Sequence, residues 1–131
     1  MSHFTTVKSK IKDLECLKLA LQDLKYEFEE AEAGVQVRGY LGQLEKADLV
    51  IKASKTYDVG VRKTAQGYEL LADWWGIETT RGLTEQEFVN QLTQRYAYHK
   101  VIKEVQARGF TISTQEEEEN NTIQLTVRKW L

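Results

Sequence analysis

A single α+β domain, a mostly antiparallel sheet with two helices packed on one face, is what this sequence predicts. Three observations carry that prediction. Two stretches place apolar residues at spacings of three and four, the pattern of a helix with one buried face. Several short segments alternate apolar and polar residues, as half-buried strands do. Glycine, asparagine and polar clusters separate these segments in a chain that contains no proline. At 131 residues the chain has the size of one domain, so residues 1–131 are expected to share one core.

Phe4 to Ile11 brings Phe4, Val7 and Ile11 out of polar surroundings and predicts a first strand, with an imperfect period. Asp13 is a good helix N-cap. After it Leu14, Leu17, Leu21 and Leu24 form one helical stripe, with Cys16 and Leu19 off its centre. Tyr26-Glu27-Phe28-Glu29 alternates as a strand with one face in water. Gly34 offers a turn, after which Val35 and Val37 begin another strand; Gly39 and Gly42 allow a bend around Tyr40-Leu41. Ala47 to Ala53 reads as a buried strand. Tyr57, Val59 and Val61 share one face of the next, with Asp58 and Arg62 on the other.

Lys63 to Gly67 is a hairpin loop closing onto Tyr68–Asp73. Trp74-Trp75-Gly76 ends this meander and leads into a polar connection through Arg81 and Gly82. Thr84-Glu85-Gln86-Glu87 is a capping box, in which the Thr84 hydroxyl accepts from the Glu87 amide while the Glu87 carboxylate reaches back. Phe88, Leu92, Tyr96, His99, Ile102 and Val105 continue that helix to Gly109, a left-handed C-terminal stop. Phe110–Thr114 and Ile123–Val127 form a closing hairpin around Glu116–Glu119 and Asn120-Asn121.

Charge narrows the function classes. Charged residues of both signs make up 29% of the chain, the net charge is −2 and the pI is about 5.8. A domain that lives by neutralising phosphates is usually basic, so nucleic-acid binding is not expected. A single cysteine, Cys16, excludes an internal disulfide and any multi-cysteine metal site within the chain. No stretch approaches the ~20 apolar residues of a membrane span. The N-terminus lacks the apolar run of a secretory signal and the arginines of a transit peptide, so the protein is expected to work where it is made.

Three strings stand out in order: Met1-Ser2-His3-Phe4-Thr5, Tyr57-Asp58-Val59-Gly60-Val61-Arg62, and Leu92-Thr93-Gln94-Arg95-Tyr96-Ala97-Tyr98-His99, with Tyr68-Glu69-Leu70 and Trp75-Gly76 between the last two. Together they resemble the hypothetical chloroplast reading frame thirty-five family of plastids and cyanobacteria, a domain of unknown function. The resemblance covers essentially the whole chain. It implies a small soluble protein of a cyanobacterial cytoplasm or plastid stroma, and no reaction, cofactor or catalytic residue.

Candidate sites come from the residues themselves. Arg95 and His99, four residues apart on one helix, can present a cationic or proton-exchanging pair beside two phenols, Tyr96 and Tyr98. Against this stands a packing reading, with Tyr96 on the sheet, His99 hydrogen-bonded at the core edge and Arg95 solvated. His3 and His99 could meet a carboxylate such as Asp58 or Asp73 at a metal, but no ligand spacing supports it, and no metal or cofactor is expected. Of Trp74 and Trp75, adjacent in a strand, one enters the core and the other is free to anchor a partner; Trp130 poses the same question. Cys16 has no resolving partner and reads as filler, and Glu116–Glu119 as a solvated tip that discourages edge pairing. No phosphate-binding glycine fingerprint and no nucleophile elbow is visible.

The preferred expectation is a non-catalytic binding, assembly or regulatory factor that meets a protein partner through exposed aromatics and sheet edges. A second reading is an enzyme or enzyme subunit holding a small anionic ligand near Arg95 and His99, and a third is an RNA-binding sheet with stacking aromatics.

Overall fold

The computed structural model describes residues 4–39, 44–117 and 123–129. Strand β1 (Thr5–Lys8) leads to α1 (Leu14–Asp23), then β2 (Phe28–Arg38), β3 (Leu44–Ile51), β4 (Val59–Thr64) and β5 (Gly67–Ala72). Helices α2 (Trp74–Arg81) and α3 (Glu85–Ala107) follow, and β6 (Phe110–Glu117) with β7 (Ile123–Lys129) close the chain. Strands β1 to β5 form one antiparallel sheet in the order β1-β5-β4-β3-β2, while β6 and β7 form a separate two-stranded sheet among the described residues. The α+β class is therefore as expected.

Local signals explain much of this. Asp13 caps α1 by accepting from the Cys16 amide at 3.2 Å. Leu17 and Leu21 are fully buried, and Cys16 and Ala20 widen the buried face into a second row four residues apart, leaving Leu19 exposed. Burial pushes the Cys16 thiol above its ordinary pKa, so this cysteine is an inert core residue. The Thr84–Glu87 capping box is complete, and Phe88, Leu92 and Tyr96 bury the inner face of α3. Val59–Thr64 and Gly67–Ala72 are paired through Thr64↔Gly67, as the predicted hairpin requires.

Two elements differ from expectation. The segments on either side of Gly34 belong to one strand, because Gly34 (φ 92°) makes a bulge rather than a turn. Between Glu30 and Val35 the strand advances five residues while β3 advances two, from Leu49 to Ala47. An edge strand tolerates such an excess, since its outer side has no ladder to interrupt. The polar connection after Trp74 is a third helix. Asp73 is its N-cap, accepting from the Gly76 amide at 3.1 Å, and Gly82 (φ 75°) ends it in the left-handed conformation. Gly76 lies flat against the Tyr57 ring, where any Cβ would collide.

All three helices contribute to the main buried cluster, through Leu17 and Leu21, Ile77, and Phe88 and Leu92, with Leu49, Ile51, Val59, Val61 and Leu70 from the sheet. Strand alternation turns Val50 away from Leu49 and Ile51 into a smaller cluster with Val37 and Ala47. Among the described residues, no helix is long and apolar enough to cross a membrane.

Candidate functional site

The unusual chemistry of α3 converges on the last residue of α1. Asp23 Oδ2 accepts from Arg95 Nη2 at 2.7 Å and from Arg95 Nε at 3.2 Å, and stands 2.6 Å from His99 Nε2. The Arg95 guanidinium carbon lies 4.6 Å from the centre of the Tyr98 ring, and Tyr98 meets His99 edge-on at 4.9 Å. Helical spacing brings Arg95, Tyr98 and His99 to one side of α3; the packing of α1 on α3 supplies the acid. Burial pushes the Asp23 carboxyl up, but the hydrogen bonds from Arg95 and His99 outweigh it and hold the group below its ordinary value. An ionised carboxylate only accepts, so His99 donates through Nε2. Arg95 and His99 are thus both committed to an internal acid, in side chains that are 17% and 16% exposed.

Neighbouring groups have structural tasks. The Tyr96 hydroxyl accepts from the backbone amides of Lys12 and Asp13 at 3.0 and 3.1 Å, fixing the entry to α1. Asp13 takes the Lys103 ammonium at 2.7 Å, and that bond, with the Cys16 amide, lowers its pKa to about 2 against the cost of burial.

The other predicted residues are dispersed. Trp74 is buried against Phe88 with ring centres 5.8 Å apart, whereas Trp75 is 53% exposed. The helix accounts for this division, since consecutive helical residues point about 100° apart. Asp58 was expected beside Arg62 on the face away from Val59 and Val61. It is completely buried and grips Arg38 through two oxygens, with Nη2–Oδ1 at 2.8 Å and Nε–Oδ2 at 3.0 Å. Asp73 is the cap of α2, so both acids considered for a metal help to build the fold. Among the described residues, no group of three His, Cys, Asp or Glu side chains is arranged to hold a metal ion. His3 and Trp130 lie outside the described residues, as do Tyr40-Leu41, Gly42, Glu118 and Glu119.

One feature has no local signal in the sequence. A cleft of about 760 Å³ opens where the ends of α1, β3 and α2 meet, with Lys25, Tyr26, Glu27, Lys52, Lys55 and Arg81 in its lining. The chain leaves α1 through a Schellman motif: the Tyr26 amide bonds to Leu21 O and the Lys25 amide to Gln22 O. Lys25 occupies the position that usually takes glycine, at φ 63°. An L-residue with a long side chain there costs about 1 kcal/mol.

A family model described as a protein of unknown function (DUF1257) matches residues 20–126. Uncharacterized protein ycf35 of Guillardia theta is 35% identical over 136 residues, covering 99% of this chain and 98% of the relative. The proteins of the same name from Pyropia yezoensis and Cyanophora paradoxa are 32% and 31% identical, again over 99% of this chain and 98% of theirs. The resemblance read from the sequence strings agrees with these matches, and two of the strings, Tyr57–Arg62 and Leu92–His99, fall inside the matched segment. No solved structure matches.

Proposed function

We propose, from the premise that the chain belongs to the DUF1257 family of proteins of unknown function, that it is a non-catalytic binding factor that docks a protein partner on α2 through Trp75. The observation that carries this reading is the contrast between two adjacent tryptophans. Trp74 anchors α2 in the core, and Trp75 holds 53% of its surface in water on the same short helix. Asp73 at the helix start and the close seat of Gly76 on Tyr57 leave α2 little freedom, so Trp75 is offered in a fixed direction. A preorganised tryptophan is the kind of side chain that dominates interface energetics, because its large area is desolvated with little entropy loss.

The reading takes α1 and α3 as a layer over one sheet face, whose role is to hold α2 rigid. It is favoured over an enzyme centred on Arg95 and His99 because Asp23 already engages both side chains. We place the protein in a plastid stroma or cyanobacterial cytoplasm.

Affinity purification of tagged protein from a photosynthetic host, with crosslinking and mass spectrometry, tests this in wild type and Trp75→Ala. The expected result is a stoichiometric protein crosslinked near α2 that is lost in the variant, while its melting temperature is unchanged. Recovery of the same partner with Trp75→Ala, or no partner at all, overturns the reading.

A further inference from the structure

We propose that the cleft between the ends of α1, β3 and α2 is a binding site for a small molecule carrying two or more phosphate groups. The inference is independent of the docking reading and uses different residues.

Four cations, Lys25, Lys52, Lys55 and Arg81, line the cleft against one carboxylate, Glu27, in a protein whose net charge is −2. They arrive from three separate parts of the chain, so the concentration is a product of the fold. Like charges gathered in a concave surface raise the local potential and draw in anions. Lys52 is 3.9 Å from the buried Asp58, at the limit of pairing. Among the described residues, the ammonium groups of Lys25 and Lys55 have no ion-pair partner.

Three successive carbonyl groups of the loop after β3 would repel an anion, and each is covered by an arginine. Arg81 Nη1 donates to Ala53 O at 2.7 Å, and Arg38 donates to Ser54 O at 3.4 Å and Lys55 O at 2.8 Å. The bond to Ala53, with stacking at 4.8 Å over the Tyr26 ring, also fixes the Arg81 guanidinium. Such a rigid fork suits phosphate oxygens.

Glycine would close α1 at lower cost, yet the chain keeps Lys25 at φ 63° on the lip of the cleft. Local strain retained beside a concentration of charge points to a role in binding. Size and charge then select the ligand. A volume of about 760 Å³ exceeds what a single phosphate needs and falls within the range of small-molecule sites. The excess of three cations over carboxylates is met better by a diphosphate than by orthophosphate.

The test is calorimetric titration of the full chain at low salt with pyrophosphate, ADP and orthophosphate as probes, and amide NMR to locate the change. Pyrophosphate and ADP are expected to bind about tenfold more tightly than orthophosphate, shifting the amides of Lys25, Ser54, Lys55 and Arg81. Lys25→Gly carries the sharpest prediction. It is expected to raise the melting temperature of the unliganded protein by about 3–5 °C while weakening pyrophosphate about fivefold. Misfolding cannot produce that combination. Lys55→Gln should weaken binding similarly, and Lys46→Gln, outside the cleft, should leave it unchanged. Absence of pyrophosphate binding at millimolar concentration overturns the proposal. So does binding insensitive to Lys25→Gly and Lys55→Gln, or a single-stranded RNA that binds the cleft where pyrophosphate does not.

Discussion

His99 Nε2 stands 2.6 Å from Oδ2 of Asp23, a residue 76 positions earlier in the chain. That bond, shared with Arg95, ties the end of α1 to the middle of α3 and turns the most conspicuous polar group of the sequence inward. It makes the group a structural clasp whose strength depends on the charge of Asp23.

Asp23→Asn is accordingly expected to lower stability at pH 7 by about 1 kcal/mol, a modest figure because a third of the carboxylate is in solvent. The folded-state pKa of Asp23 is depressed. Its contribution is therefore full above the ordinary value of 3.8 and is lost as the pH falls through the lower folded value. Urea denaturation of both proteins at pH 7 and at acid pH checks this: the difference should vanish at low pH, and a difference that persisted would mean the loss is one of shape.

Asp13 offers a directly measurable titration. Lys103 and the Cys16 amide hold its pKa at about 2, so its stabilising contribution is complete above 3.8 and disappears as pH falls toward about 2. Carboxyl-carbon NMR should show that midpoint. Lys103→Met should raise it toward the ordinary value; an unmoved midpoint would assign the shift to the helix cap and the Lys100 ammonium 3.6 Å away.

Burial separates two ion pairs of the sheet. Asp58 is wholly buried while Arg38 keeps 39% of its side chain in solvent, so Asp58→Asn, which loses the charge-assisted bonds to Arg38, should cost about 1.5–3 kcal/mol. Arg62 and Glu69 pair at 3.1 Å in side chains that are 34% and 22% exposed, and Glu69→Gln should cost less than about 1 kcal/mol. Chemical denaturation of both variants measures the contrast, and equal losses would contradict it.

Gly76→Ala should destabilise the protein by about 1–3 kcal/mol, although alanine is the better helix former, because the new methyl group enters the space of the Tyr57 ring. The second variant Tyr57→Leu opens that space. In a double-mutant cycle the double variant should lose less stability than the sum of the two single losses, and strict additivity would show that the two do not compete for the same volume.

What the sequence by itself determined lies within a few residues of each signal. Asp13 and the Thr84–Glu87 box start α1 and α3, the spacing of Leu17, Leu21, Phe88 and Leu92 gives their inner faces, and the tight loop before Gly67 closes β4 onto β5. These depend on backbone hydrogen bonds and side chains one helical turn or one turn of chain apart, which the order of residues alone specifies. Family membership was legible for a similar reason, as short strings in fixed order. Tertiary structure decided the rest. Helix α2 looked like a strand end because Asp73 follows an apolar strand, and its helical state rests in part on Gly76 meeting Tyr57. Asp58 reads as a surface residue until Arg38, 20 positions earlier, comes across to neutralise it. Asp23 meets Arg95 and His99, and four cations meet around one cleft, only when helices and strands distant in sequence pack together. Electrostatic pairing across such distances is set by the positions of whole elements, and no local pattern of residue types encodes it.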